Sequence, residues 1–406
     1  MRCGLLGRVL GHSYSPMIHG MLGTYRYDLF PTEPEALDAL LRGDAWDGLN
    51  VTIPYKKTVV PYCAELSETA EKLGSVNTLV RRADGTIYGA NTDYDGFRYL
   101  VRQSGIPVAG RKALVLGSGG ASVTVCAVLR DLGAASVTVI SRSGPDNYEN
   151  LDRHADAQII ANTTPLGMYP NTGSAAVDLR AFPRCEGVFD IVYNPARTAL
   201  LLQAEQLGIP HASGLSMLVA QAKKACEYFT GNPVPDAEID RIERLLSRQM
   251  ENIILIGMPG CGKSSVGKAL AAALNRTFLD ADEEIVRRAG CSIPQIFAAQ
   301  AEAGFRRLES AVLADLGKQS GIVLATGGGC VTRPENYPSL HQNGCIVWLT
   351  RDLSLLPTDG RPMSQANPPE SLWERRKALY EQFSDIKAAN DGTISECVNA
   401  IEEALL

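Results

Sequence analysis

Short apolar runs alternate with helical patterns along this chain, and several of the runs end in glycine clusters. Residues 1–100 mix short apolar runs with polar, Gly-containing loops. A different pattern opens at Lys112-Ala-Leu-Val-Leu-Gly117, where an apolar run breaks at glycines. Helical spacing follows at Val125, Val128, Leu129 and Leu132, and then the β-branched run Ser136-Val-Thr-Val-Ile140. That succession predicts a βαβ unit. Leu218, Ala222, Ala225 and Phe229 return to helical spacing, as do Ile239, Ile242, Leu245 and Leu246. Gly231-Asn-Pro-Val-Pro-Asp236 breaks the helix between them. A charged stretch from Arg241 to Glu251 leads into the apolar run Ile253–Ile256, which starts a second α/β pattern. The reading is an α/β protein with three lobes. Residues 1–100 plus 214–248 form one, residues 101–213 a Rossmann-type lobe, and residues 249–406 a phosphate-loop domain on a parallel sheet.

A chain of 406 residues suits two or three domains. The net charge of −6 counts against nucleic acid as a partner. The ten Cys form no C-x-x-C pair, which reads as free thiols in a reducing compartment. The five His have no metal-ligand spacing. There is no long apolar core before Gly11 and no run of about 18 apolar residues, so neither a signal peptide nor a membrane span is expected. The expected location is cytoplasmic. Nothing in the sequence specifies an oligomeric state.

Gly257-Met-Pro-Gly-Cys-Gly-Lys-Ser264 matches G-x-x-x-x-G-K-[ST], between a strand-like run and a helical pattern. Gly257, Gly260 and Gly262 let backbone N–H groups curl around phosphate oxygens, and the helix N-terminus that includes Ser265 favours negative charge. Lys263 reaches the β- and γ-phosphates, and Ser264 can ligate Mg²⁺. ATP is the expected nucleotide. Phe278-Leu-Asp-Ala-Asp282 reads as a strand end that points Asp280 and Asp282 the same way, since strand side chains alternate. Gly304-Phe-Arg-Arg-Leu-Glu309 sets Arg306 near an acid, Gly327, Gly328 and Gly329 follow a third apolar run, and Arg361 and Arg376 come later. An Arg–Glu pair on a helix is ordinarily a solvated salt bridge, and three glycines are ordinarily a loop.

In this order and spacing, residues 251–406 resemble the shikimate kinase family, whose parallel sheet is adenylate-kinase-like. The resemblance implies that Asp280 supports Mg²⁺ with Ser264. It implies that Asp282 orients the attacking hydroxyl of shikimate, and that Arg306 and Arg376 clamp the substrate carboxylate. Gly327, Gly328 and Gly329 would bring backbone donors to the substrate, and Arg361 would meet the transferred phosphate. The segment Thr350–Asp359 is shorter and less basic than the family's usual lid, which implies weaker ATP affinity.

In the front half, Gly117-Ser-Gly-Gly-Ala-Ser122 departs from G-x-G-x-x-G only at Ser122. Gly117, Gly119, Gly120 and Ala121 would hold a dinucleotide pyrophosphate. Where NAD sites place an acid after the second strand, this chain has Ser141-Arg142-Ser143, which suits the 2′-phosphate of NADP(H). His12-Ser-Tyr-Ser-Pro16, Asn50-Val-Thr-Ile-Pro-Tyr-Lys56, Ser75-Val-Asn-Thr78, Gly89-Ala-Asn-Thr-Asp93 and Gly214-Leu-Ser-Met-Leu-Val-Ala-Gln221 add hydroxyls, amides, a lysine and a carboxylate. Lys56 is read at the end of a strand. Together these segments resemble shikimate dehydrogenase over residues 1–245.

That resemblance assigns Ser13 and Ser15 to the substrate carboxylate, and Thr52, Asn77 and Gln221 to ring hydroxyls. Lys56 and Asp93 become the catalytic pair, because an alkoxide formed from a ketone needs a proton donor or cation beside it. Gly214 and Met217 would lie by the nicotinamide, and Thr163 by the cofactor. Ala161 follows Arg142 by only 19 positions, too few for a further helix, strand and helix, so the second half of the nucleotide lobe is expected to be trimmed.

The whole then reads as a bifunctional enzyme of aromatic amino-acid biosynthesis. NADPH would reduce 3-dehydroshikimate to shikimate, and ATP would phosphorylate shikimate to shikimate 3-phosphate. In an alternative reading one half serves as a scaffold. In another, the front half acts on quinate or shikimate with NAD. The Arg142 reading predicts a higher kcat/KM with NADPH than with NADH, and steady-state rates with equal values for the two coenzymes would overturn it.

Overall fold

The computed structural model describes residues 1–11, 13–356 and 368–405. The chain divides into two compact units. The first holds Met1–Met168, Ser174–Tyr193 and Leu200–Leu246, and the second holds Tyr169–Gly173, Asn194–Ala199 and Ser247–Leu406.

The first unit begins with β1 (Arg2–Gly7), α1 (Ser15–Leu22), β2 (Arg26–Pro31), α2 (Leu37–Arg42), β3 (Gly48–Val51), β4 (Glu65–Leu66), α3 (Glu68–Leu73), β5 (Thr78–Arg81), β6 (Ile87–Ala90) and α4 (Thr92–Ser104). Its six strands form a mixed sheet in the order β2-β1-β3-β5-β6-β4. The helix α4 shows why the sequence folds this way locally. Thr92, Gly96, Phe97, Leu100 and Val101 are buried at helical spacing. Asn91 caps its start by accepting from the N–H of Tyr94, and left-handed Gly105 ends it.

A second sheet follows in the same unit. It is built from β7 (Lys112–Leu116), α5 (Gly120–Asp131), β8 (Ser136–Ile140), β9 (Ile159–Asn162), β10 (Gly187–Asp190), α6 (Ala199–Gln206) and β11 (His211–Ser213). The five strands run parallel in the order β11-β10-β9-β7-β8. The expected trimming takes a particular form. The β8–β9 crossover holds only a 3₁₀ turn at Leu151–His154, and β9–β10 only another at Leu179–Ala181. Neither crossover carries an α-helix, while β9, β10 and β11 complete the sheet, whose buried parallel strands supply the core of the lobe. The helix α7 (Leu215–Thr230) and the greater part of α8 (Ala237–Met250) complete the unit. At the crossing of α4 and α7 a Cβ on Gly96 would lie 2.6 Å from the Met217 carbonyl oxygen and 3.0 Å from the Gln221 Cβ. Only glycine permits that approach. Phe97, fully buried, meets Phe189 edge to face at 5.7 Å, and burying such a ring contributes roughly 1.5–3 kcal/mol.

The second unit contains β12 (Asn252–Ile256), α9 (Lys263–Ala273), β13 (Thr277–Asp280), α10 (Ala281–Ala289), α11 (Ile293–Leu316), β14 (Ile322–Ala325), α12 (Asn336–His341), β15 (Gly344–Thr350), α13 (Pro369–Phe383), β16 (Ile386–Ala389) and α14 (Ile394–Ala404). Its five parallel strands run in the order β13-β14-β12-β15-β16. Ile253–Ile256 is buried throughout, as a central parallel strand covered on both faces must be. The long helix α11 is broken at Ala301, which takes a φ of 55°. Among the described residues no helix is long and apolar enough to cross a membrane, and all ten Cys are free.

One buried ring ties the first unit to pH. His19 is fully buried, stacks on Tyr27 at 4.0 Å and shares a 2.6 Å hydrogen bond between Nδ1 and the Tyr25 hydroxyl. Burial pushes its pKa down to about 3, opposed only in part by Asn50. Below about pH 6.5 an unfolded His takes up a proton that the folded one refuses, so stability falls as pH drops from about 6.5 towards 3. At pH 5 this group's share is about 2 kcal/mol. Urea unfolding at pH 7 and pH 5 is expected to show the loss shrinking by about that amount in His19→Gln.

Candidate active sites

In the first unit, β3 ends at Val51 and the chain turns. Lys56 therefore stands in that turn and not at a strand end as expected. The turn is held by Val76 N–H donating to the Lys56 carbonyl at 2.8 Å and Val51 N–H to the Asn77 carbonyl at 2.7 Å. The main chain thus fixes Lys56 beside Asn77. Across from it, Asp93 sits in the first turn of α4, where the helix dipole favours a carboxylate. The Lys56 Nζ lies 2.6 Å from Asp93 Oδ2, with both side chains mostly buried.

Asn77 is buried, and its Oδ1 accepts from the Thr92 N–H at 2.7 Å and from the Thr92 hydroxyl at 3.2 Å. The Thr92 hydroxyl comes within 3.5 Å of Gln221 Oε1, on α7. Thr92 therefore links two residues expected to bind ring hydroxyls. Its place inside Asn-Thr-Asp gives no sign of that, because the link is tertiary. Thr52 follows β3 directly and donates its N–H to the Leu6 carbonyl at 2.9 Å. Ser13 and Ser15 flank Tyr14, and Ser13 Oγ accepts from the Ser15 N–H at 3.2 Å. Tyr14 meets Tyr193, a residue not singled out in the sequence, edge to face at 5.9 Å. His12 lies outside the described residues.

The carboxyl ends of β7, β8 and β9 converge. Gly117 donates to the Ile140 carbonyl at 2.8 Å, and Thr163 donates through both N–H and hydroxyl to the Leu116 carbonyl, at 2.9 and 2.7 Å. Gly119 caps α5, and a Cβ on Gly119 or Gly120 would meet nothing within 4 Å. An open helix N-terminus with backbone donors fits a dinucleotide pyrophosphate. Ala121 is in the first turn of α5, while Ser141 and Arg142 follow β8, with Arg142 exposed. Gly214 caps α7, and Met217 is buried one turn on. A pair not foreseen holds two strand ends together: buried Asn162 Nδ2 donates to Asp190 Oδ1 at 3.0 Å.

In the second unit the phosphate loop lies between β12 and α9. Gly257, Gly260 and Gly262 have φ of 143°, 86° and 99°, values that side chains rarely adopt. Lys263 Nζ donates to the carbonyls of Gly257 and Met258 at 2.9 and 3.0 Å. Asn390, just past β16, braces the loop by donating to the Cys261 carbonyl at 2.8 Å. Ser264 Oγ donates to Asp280 Oδ2 at 2.6 Å, a pair of hard oxygen donors that fits Mg²⁺ beside a phosphate. Ser265 is exposed on the first turn of α9.

Asp280 and Asp282 share a cavity, though not for the expected reason. The strand stops at Asp280, which caps α10 by accepting from the Asp282 N–H at 2.9 Å, so Asp282 is helical. The cavity holds about 460 Å³ and includes Lys263, Ser264, Asp282, Arg306 and Arg376 in its wall. Each glycine of 327–329 leaves room for a neighbour. A Cβ on Gly327 would meet Glu309 Oε1 at 2.5 Å, on Gly328 the Pro259 ring at 2.7 Å, and on Gly329 the Arg306 Nη2 at 2.1 Å. Arg376 Nη1 donates to the Gly328 carbonyl at 3.1 Å, and the Tyr380 hydroxyl donates to the same oxygen. Arg361 lies outside the described residues.

The Arg306–Glu309 pair is not a solvated one. Nη1 and Oε2 are 2.7 Å apart, with side-chain exposures of 7% and 0%. Burial pushes the Glu309 pKa up, Arg306 offsets part of this, and nearby Asp282 adds to the rise. Glu309 is a residue whose role the sequence does not disclose. Three positions after Arg306, it is indistinguishable in spacing from a surface pair.

Family models match this chain twice: shikimate dehydrogenase substrate binding domain over residues 5–79, and shikimate kinase over residues 259–406. A shikimate dehydrogenase (NADP(+)) of Symbiobacterium thermophilum is 37% identical over 264 residues, covering 57% of this chain and 90% of that protein. Among solved structures, a chorismate mutase/shikimate 5-dehydrogenase fusion protein from Clostridium acetobutylicum aligns with a TM-score of 0.58 at 34% identity, over 60% of this chain and 96% of that one. The shikimate 5-dehydrogenase of Thermus thermophilus, in complex with NADP(H) and shikimate, aligns with a TM-score of 0.55 at 29% identity, over 60% and 99%.

Replacing Glu309 by Gln removes the counter-charge that holds Arg306. KM for the acceptor of the second unit is expected to rise about tenfold, or about 1.4 kcal/mol, while KM for the nucleotide stays within twofold in steady-state assays.

Proposed function

Because the chain belongs to the shikimate dehydrogenase family and carries a shikimate kinase domain behind it, we propose that its two sites act on consecutive intermediates. The first unit reduces 3-dehydroshikimate to shikimate with NADPH. The second transfers a phosphoryl group from ATP to shikimate, giving shikimate 3-phosphate. The observation that carries the reading is a cavity in which a phosphate loop, Asp282 and two arginines face one another. Phosphoryl transfer depends on positioning and charge, and two guanidinium forks beside a phosphate site select an acceptor that bears a carboxylate.

In the first unit NADPH, when bound, supplies the hydride. The Lys56 ammonium, beside the ketone oxygen, stabilises the alkoxide charge and donates it a proton, leaving a neutral amine that solvent reprotonates. Asp93, hydrogen-bonded to Lys56, orients that ammonium. Ser13 and Ser15 grip the carboxylate, and Thr52, Asn77 and Gln221 take ring hydroxyls. Gly117, Gly119, Gly120 and Ala121 seat the pyrophosphate, Ser141 and Arg142 the 2′-phosphate, Thr163 the dinucleotide, and Gly214 and Met217 the nicotinamide.

In the second unit MgATP, when bound, supplies the phosphoryl group. Gly257, Gly260, Gly262 and Ser265 present backbone donors, Lys263 neutralises the moving charge, and Ser264 with Asp280 would hold Mg²⁺. Asp282 orients the attacking hydroxyl. Arg306 and Arg376 hold the carboxylate, with Gly327, Gly328 and Gly329 against the ring. The order of the steps predicts a simple dissection. Lys56→Ala is expected to cut 3-dehydroshikimate-dependent NADPH oxidation by about 10²–10⁴ and to leave phosphorylation of added shikimate intact. Lys263→Ala is expected to do the reverse. Spectrophotometric NADPH loss and chromatographic shikimate 3-phosphate are the readouts, and loss of both activities in either variant would break the two-site reading.

A further inference from the structure

Arg351 is the only basic residue of Thr350–Asp359. It lies just beyond β15 and lines the same cavity as Gly260, Gly262, Lys263 and Ser264. Its Nε is buried and has no hydrogen-bond partner among the described residues. The other cations of the cavity are engaged by the protein. Lys263 holds two carbonyls, Arg306 holds Glu309, and Arg376 holds the Gly328 carbonyl. A guanidinium N–H withdrawn from water without an acceptor is costly. An anion in the cavity beside the guanidinium would offset that cost through its charge.

The surroundings decide which anion. Arg351 continues the strand that packs on the phosphate loop: a Cβ on Gly257 would lie 2.4 Å from the Leu349 carbonyl oxygen. The next carbonyl, that of Thr350, accepts from the N–H of Asn390 at 2.8 Å, and Asn390 in turn braces Cys261 within the loop. Arg306 and Arg376, by contrast, reach the cavity from α11 and α13. We propose that Arg351 is a nucleotide-binding residue of the kinase reaction, contacting the polyphosphate of ATP and not the acceptor. The inference rests on the kinase reading above.

The full chain carrying Arg351→Ala is expected to show KM for ATP and Kd for MgADP raised about tenfold or more. KM for shikimate and the NADPH-dependent rate should be unchanged. Arg351→Lys should recover part of the loss, because a point charge replaces the planar fork. An unchanged ATP KM and MgADP Kd, or a rise confined to the shikimate KM, overturns the proposal. Calorimetric binding of MgADP requires no acceptor. A wild-type chain that binds MgADP but phosphorylates no shikimate therefore counts against the kinase reading, while the Arg351 comparison is still decided by calorimetry.

Discussion

Parallel strands end with their last carbonyls and the first turn of the following helix facing the same side, and the chemistry of this chain hangs on that constraint. Loops after the strands must satisfy those groups within a few residues, and they do it with backbone N–H groups and short polar side chains. At the end of β7 the requirement is met by Gly117 and Thr163, both tied to neighbouring strand ends. At the end of β12 it is met by three left-handed glycines and by Lys263 turned back on the loop. Each arrangement that ties up the main chain also offers donors to phosphate.

Charge is then placed against this polar frame at a cost. The Arg306–Glu309 pair is taken almost wholly out of water, and a buried pair seldom repays its desolvation. Its effect here is geometric. Glu309 fills the space that Gly327 leaves, and Arg306 the space that Gly329 leaves, so the guanidinium has one place to be. Tyr380 and Arg376, one turn apart on α13, converge on the Gly328 carbonyl from the other side. The glycine run is therefore a fitted wall and not a flexible loop.

What can be read from sequence, and what cannot, follows from the range of each signal. The phosphate loop is a local pattern, and its strand and helix lie where the spacing puts them. Strand alternation sets Asp280 and Asp282 on one side, yet the helix begins between them because Asp280 serves as its cap. Lys56 reads as a strand end but sits in a turn held by Val76, a contact that no local pattern reports. The strands β9, β10 and β11 have four, four and three residues, too short for periodicity to announce them. The burial of Glu309, and an Arg351 Nε with no hydrogen-bond partner among the described residues, are properties of the packed molecule alone.

The bracing of the two sites bears on how the chain is made. Thr92 meets Gln221 across 129 positions, and Cys261 is held by Asn390 across the same separation. Neither contact exists until an element near the end of its own unit has left the ribosome. Most of each sheet can form earlier in synthesis, with the candidate site residues on it but unassembled. Long-range closure of this kind slows folding, and a nascent or truncated unit would hold a nearly complete core around a site that does not yet exist.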